Sequence, residues 1–70
     1  MTQRERVLKY IHDFGSISPM EAFKDLGITK LATRISELSR MGYEFDKVYE
    51  ATKNRYGEPA RYMRYRFSAA

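Results

Sequence analysis

Ser18-Pro19-Met20-Glu21-Ala22-Phe23-Lys24-Asp25-Leu26-Gly27-Ile28-Thr29-Lys30-Leu31-Ala32-Thr33-Arg34-Ile35-Ser36-Glu37-Leu38 is the stretch that decides how this chain folds. Ser18 and Glu21 form a capping box: the hydroxyl accepts from a free backbone N–H and the carboxylate reaches back. Pro19 stands at the first helical position, where its missing N–H costs nothing. This helix runs to about Leu26, burying Ala22, Leu26 and either Met20 or Phe23, and Gly27 stops it. After Ile28, Thr29 is expected to cap a second helix whose buried stripe is Leu31, Ile35 and Leu38, with Ala32 and Met41 at its margins. Gly42 ends it. Two helices joined by so tight a turn form a helix-turn-helix, the unit that places its second helix in the DNA major groove.

Upstream, Thr2-Gln3-Arg4-Glu5 is another capping box. Val7, Leu8, Ile11 and Phe14 follow at helical spacing on one side, and Gly15 is placed to cap the helix in the left-handed region. Ser16-Ile17 reads as a short extended piece. Downstream of Gly42 the period changes from 3.6 to 2. Tyr43-Glu44-Phe45-Asp46-Lys47 alternates, and strand character continues through Val48, Tyr49, Ala51 and Thr52, with room for a bulge. The cluster from Asn54 to Pro59 is a turn of six residues. In the next run, Met63, Tyr65 and Phe67 share one face, with Tyr62, Arg64 and Arg66 on the other. Ser68-Ala69-Ala70 reads as a tail.

The expected architecture is therefore α+β, a winged helix-turn-helix. Helices fall at about 3–14, 19–26 and 30–41, Ile17 supplies a short first strand, and a C-terminal two-stranded wing spans about 43–67. A hairpin alone is marginal in water, so the wing needs the helices. The whole chain, 1–70, reads as one domain.

Size and composition bound the function. Seventy residues allow one domain with a thin core. With no cysteine and a single histidine, His12, there is no thiol nucleophile, no disulfide scaffold and no Cys- or His-built metal site. His12 lies about 140° from Val7 on the first helix and is expected at the surface. No carboxylate pair has an argued acid–base partner and no glycine-rich phosphate loop exists. The expectation is no enzyme, no catalytic residue, no metal and no cofactor. No stretch reaches the 18 or so apolar residues of a membrane span, and no apolar signal region opens the chain, so no membrane partner is expected.

The net charge of +4 is unevenly placed. Met1 to Thr52 carries eight cations and eight acids. From Lys53 onward Lys53, Arg55, Arg61, Arg64 and Arg66 face Glu58 alone. A local basic surplus of this kind points to a polyanion.

On the wheel of the third helix, with Leu31 at zero, Ile35 lies near +40° and Leu38 near −20°, at about 100° per residue. Thr29, Thr33, Ser36, Glu37 and Arg40 fall opposite, and Lys30 flanks them. Short polar side chains there can approach base edges, with Lys30 and Arg40 available for phosphate or guanine. Thr29 and Lys30 also stand at a helix N-terminus, where backbone N–H groups favour a phosphate. Arg34 sits beside the buried stripe and either bonds a phosphate or pairs with Asp25 or Glu21 over the core. Glu37 either accepts from a cytosine amino group, pairs with Arg40, or stays in solvent. In the wing, Lys53, Asn54, Arg55 and Arg61 can follow the phosphate backbone or enter a narrow minor groove. Asn54 and Gly57 are also ordinary turn formers. Arg64 and Arg66 are either solvated or part of the same basic face. Of the tyrosines, Tyr65 and Tyr43 are expected in the core, with Tyr49, Tyr56 and Tyr62 exposed, which disfavours a base-stacking platform for single strands.

The run from Gly15-Ser16-Ile17-Ser18 through Gly27-Ile28-Thr29 resembles small winged helix-turn-helix proteins of bacteriophages and prophages. Arg34-Ile35-Ser36-Glu37-Leu38, Met41-Gly42-Tyr43, Lys53-Asn54-Arg55-Tyr56-Gly57 and Arg64-Tyr65-Arg66-Phe67 fit the same group. The resemblance covers roughly residues 4–67. It implies double-stranded DNA binding in a phage or bacterial setting: a transcriptional regulator in the host cytoplasm, associated with the nucleoid. The alternatives are an excisionase-like architectural DNA binder, or a protein-interaction module such as a phage-encoded inhibitor or adaptor. A domain with so small a footprint is also expected to act with a second copy of itself or another protein on DNA, at half-sites about 34–36 Å apart.

Overall fold

Three helices are followed by one antiparallel hairpin. The computed structural model describes residues 1–68; Ala69 and Ala70, the end of the expected tail, lie outside the described residues. The elements are α1 (Gln3–Phe14), α2 (Pro19–Leu26), α3 (Leu31–Arg40), β1 (Phe45–Lys53) and β2 (Pro59–Phe67). This is the α+β winged helix-turn-helix expected above.

Both expected capping boxes form. The Thr2 hydroxyl accepts from the Glu5 amide while the Glu5 carboxylate accepts from the Thr2 amide, and Ser18 and Glu21 repeat the exchange at α2. The glycine after α2 is needed for its backbone: Gly27 sits at φ +69°, which a side chain rarely adopts. That turn lets the Ile28 amide reach back to the Ala22 carbonyl at 2.9 Å, which buries Ile28 between α2 and α3. At α3 the expectation fails. Lys30, not Thr29, holds the N-cap position, and no side chain caps the helix.

The core is Val7, Ile11, Ile17, Ala22, Ile28, Leu31, Ile35, Leu38 and Tyr65, with Leu8, Tyr10, Leu26, Phe45 and Met63 packed against it. Several apolar residues expected inside are outside. Phe14 is 71% exposed, Met20 70% and Phe23 59%, and Tyr43 and Phe67 are also exposed. The reason is geometric. With only three short helices and one ribbon, each helix has one covered flank. Val7 and Ile11 fill that of α1, and Ala22 and Leu26 that of α2.

The hairpin register is unbroken from Phe45↔Phe67 to Lys53↔Pro59, so the strands carry no bulge. Residues 54–58 connect them, one fewer than expected. Outside the hairpin, Ile17 pairs with Tyr65 as an isolated antiparallel bridge. Phe45 and Phe67 stack across the hairpin base with centroids 5.8 Å apart. The register divides the wing into two faces. Lys47, Tyr49 and Ala51 lie with Tyr65, Met63 and Arg61 on one. Val48, Glu50 and Thr52 lie with Arg64, Tyr62 and Ala60 on the other.

Candidate nucleic-acid interface

The exposed face of α3 follows from its wheel. Once Leu31, Ile35 and Leu38 are buried, Ala32, Thr33, Ser36, Glu37 and Arg40 line one shallow hollow on the outside of the helix. Thr29 and Lys30 are exposed at its start. Because no side chain caps α3, its first backbone N–H groups have no side-chain partner. α1 and α2, by contrast, close their own N-termini with capping boxes. An uncapped N-terminus beside Lys30 has the right charge and donors for a phosphate oxygen.

Two acid–base details on this helix differ from expectation. Arg34 pairs with neither Asp25 nor Glu21; its Nε lies 3.2 Å from Glu37 Oε1. The two atoms are close enough to attract but off hydrogen-bond alignment, and neither has a hydrogen-bond partner among the described residues. Glu37 does not pair with Arg40. Its second cation is Arg4 of α1, whose Nη1 is 3.9 Å away. So Glu37 has two arginines near it, and Arg40 is in no ion pair among the described residues.

The wing tip is built by Asn54. Its Oδ1 accepts from the Tyr56 amide at 2.9 Å and the Glu58 amide at 3.0 Å, and its amide group donates to Glu58. Gly57 takes φ +76° to close the turn. Asn54 is therefore occupied in holding the tip. Lys53, Arg55 and Arg61 project as exposed cations in no ion pair among the described residues. Tyr56 is the most exposed of the tyrosines at 83%.

Arg64 and Arg66 separate at this point. Arg66 is largely exposed, with a long contact of 3.8 Å to Asp46. Arg64 is neither solvated nor part of a basic face. Its Nη1 donates to Glu21 Oε1 at 2.7 Å and to Ser16 Oγ at 3.0 Å, and its Nε donates to Glu50 Oε1. Tyr62 donates to the other Glu50 oxygen at 2.8 Å and is half-buried against this cluster rather than exposed as expected. The Tyr62 hydrogen bond, with Arg64 second, holds the Glu50 carboxyl below its ordinary value. Burial works against the Arg64 charge, but its carboxylate partners outweigh that and keep the guanidinium firmly protonated. No local sequence signal marks this cluster, since Glu21 and Arg64 are 43 positions apart.

Elsewhere, His12 is exposed, as expected, and its Nδ1 lies 3.3 Å from Asp13 Oδ1. Tyr10 donates to Asp25 Oδ2 at 2.6 Å, which with its partial burial pushes the phenol up to about 12. Among the described residues no group of three potential metal ligands comes together, and no helix is long and apolar enough to cross a membrane.

A helix-turn-helix with an appended basic hairpin belongs to a class of domains that bind DNA, and the fold is not typically enzymatic. The family model for the winged helix-turn-helix domain matches residues 2–70, so the chain belongs to that family, which implies DNA as a partner. No curated protein and no solved structure matches the chain.

Proposed function

We propose that the chain is a transcriptional regulator that reads double-stranded DNA with α3 in the major groove and the wing tip on the backbone or in the minor groove. The observation that carries this is where the uncompensated charge lies. Lys30 and Arg40 at the two ends of α3, and Lys53, Arg55 and Arg61 on the wing, are exposed and outside every ion pair of the described residues. Arg34, Arg64 and Arg66 all have acidic partners. On α3 the free cations Lys30 and Arg40 flank Thr33, Ser36 and Glu37, where base edges would be read. Arg6, Lys24 and Lys47 are likewise exposed and outside every ion pair of the described residues. Thr29 is exposed before α3, while Arg34 and Asn54 are already engaged inside the protein. A bacteriophage or prophage origin, and action at the host nucleoid, rest on the sequence resemblance.

Selection from random duplexes, followed by affinity against salt, tests the reading. A recovered motif and a log–log salt slope near −0.9 per phosphate contacted support it. No duplex binding at low salt overturns it. A protein-interaction role on the same fold is the second reading. The large exposures of Phe14, Met20 and Phe23 on α1 and α2 favour it, because a protein partner would take that apolar surface out of water.

A further inference from the structure

We propose that Arg64 is a positioning residue: it sets the angle of the wing against the helix-turn-helix, and its charge is used inside the protein rather than on a phosphate. The inference rests on the duplex-binding reading above for its consequence, but not for its geometry.

Apart from the covalent connection from α3, the Ile17–Tyr65 bridge ties the hairpin to the helical body by backbone, with hydrogen bonds of 2.8 and 2.9 Å. Phe45, Met63 and Tyr65 pack on the core from that one face of the ribbon, so these contacts leave its other face to be held separately. Arg64 is the next residue along β2, so it lies on the opposite face of the sheet from Tyr65. From there its guanidinium reaches Glu21 in the first turn of α2 and Ser16 in the connection before it. The same guanidinium holds Glu50 on β1, and Tyr62 holds the second Glu50 oxygen. The wing is therefore gripped on both faces, by Tyr65 in the core and by Arg64 on the outside.

The α2 end of this clasp is itself rigid. Glu21 Oε1, which accepts from Arg64, also accepts from the Ser18 amide at 2.9 Å as part of the α2 capping box. Ser18 is 2% exposed. One carboxylate oxygen thus ends a helix and anchors the wing. Arginine suits the place because its fork presents separate N–H donors in fixed directions. Among the described residues Arg66 has one exposed ion pair, to Asp46 across the hairpin, and none with a helix.

A lever argument shows why this matters at the tip. The Lys53–Pro59 pair lies five residue steps along the strands from the Arg64–Val48 pair, about 17 Å at strand rise. A tilt of about 20° at the base then moves the tip by about 6 Å, beyond hydrogen-bond reach of a given phosphate. Two facing carboxylates cancel the Arg64 charge, so it adds little to the field that attracts DNA.

The experiment has two arms. In the free protein, amide exchange and residual dipolar couplings follow the wing in Arg64→Ala and Arg64→Lys. In the second arm, the affinity of each for the selected duplex is measured across a salt series. For Arg64→Ala we expect retained protection in α1 and α3, a loosened 45–67 segment, and about tenfold weaker duplex binding, the scale of one lost charge-assisted hydrogen bond. The salt slope should match that of the unaltered protein. Arg64→Lys should fall between the two, since one ammonium cannot reproduce the fork. If Arg64→Ala flattens the slope by about one unit, Arg64 touches a phosphate and the proposal fails. It also fails if the wing couplings are unchanged. Should Arg64→Ala not fold, the Ser16→Ala, Glu21→Gln double variant weakens the body side of the clasp, keeps a glutamine that can still close the α2 capping box, and must loosen the wing in the same way. An unaltered protein that binds no duplex would sink the DNA reading alone, and the free-protein arm would still decide the positioning role.

Discussion

The Ile17 amide donates to the Tyr65 carbonyl at 2.8 Å, and the Tyr65 amide donates back to the Ile17 carbonyl at 2.9 Å. Both residues are buried, so this exchange ties the hairpin to the helices inside the core rather than at its rim. It also points the Tyr65 amide and carbonyl away from β1, because a strand residue directs its two hydrogen-bonding groups to one side. Tyr65 then faces Lys47 as a non-hydrogen-bonded pair of the hairpin.

Trimming Ile17 should expose this dependence. Ile17→Val is expected to cost about 0.5–1.5 kcal/mol and Ile17→Ala about 2–5 kcal/mol. A domain of this length holds only about 4–10 kcal/mol in total, so the alanine variant should sit near the edge of folding. Urea titration followed by far-ultraviolet circular dichroism measures both, with midpoints moving and slopes unchanged. A loss under about 0.5 kcal/mol for Ile17→Ala would contradict the packing of its side chain in the core.

The two capping boxes should not be equal. Thr2→Ala removes an exposed cap and is expected to cost about 0.5–1 kcal/mol. Ser18→Ala acts at a buried position and leaves the Glu21 amide without its acceptor, while the backbone N–H of residue 18 still donates to the Glu21 carboxylate, so about 1–2 kcal/mol is expected. Thermal melts compare them directly, and equal shifts in Tm would refute the greater cost of losing the buried cap.

Acid should open the clasp from the Glu50 side. The Glu50 carboxyl is held below its ordinary 4.5, first by Tyr62 and then by Arg64. A lowered folded-state value means the stabilisation is fully present above pH 4.5 and is lost as pH falls through the folded-state value. Glu5 and Asp13 are lowered by their own partners and lose stability in the same direction. Comparison with Glu50→Gln isolates one contribution. The gap between the two proteins should be constant from pH 7 to about 5 and narrow below about 4.5. A gap that widens on acidification would contradict the assignment.

Cations at the proposed interface should be separable from those engaged within the protein. Lys30→Ala, Arg55→Ala and Arg61→Ala are each expected to flatten the salt slope of duplex binding by about one unit. Arg66→Ala should change it by much less, because Asp46 is its neighbour. A set of equal slopes would show that the wing tip is not on the backbone.

Glu37 offers a test of sign. Two arginines, Arg34 and Arg4, lie near its carboxylate. Glu37→Gln removes a negative charge from the α3 face and releases both. Tighter binding to every duplex is expected, with a slope steeper by up to about one unit for each arginine that finds a phosphate. Weaker binding restricted to sites with one particular cytosine would instead make Glu37 a base reader.

How much of this was legible in the chain depends on the range of the interaction. The capping boxes, the Gly27 turn, the buried stripe of α3 and the alternation of β2 are set within a few residues. Backbone groups near a helix end or a turn can be satisfied only by close neighbours, so those features can be read in order along the chain. Thr29 has the residue type of a cap but not the position: Ile28 folds back onto Ala22 and Lys30 takes the N-cap place without a side-chain bond. The polar face of α3 and the basic wing were visible for the same local reason. Which cations on them remain free was not.

That second question belongs to the folded molecule. Arg64 and Arg66 stand in nearly the same local sequence, yet one clasps Glu21, Ser16 and Glu50 while the other stays largely in solvent. Phe14, Met20 and Phe23 carry the periodicity of a core yet lie outside it. Short-range order along the chain depends on hydrogen bonds a turn can close by itself. The covered flank of a helix, and the acid a long arginine meets, depend on which distant element arrives there. In so small a fold each flank is covered once, so that arrival determines both the core and the charge left for DNA.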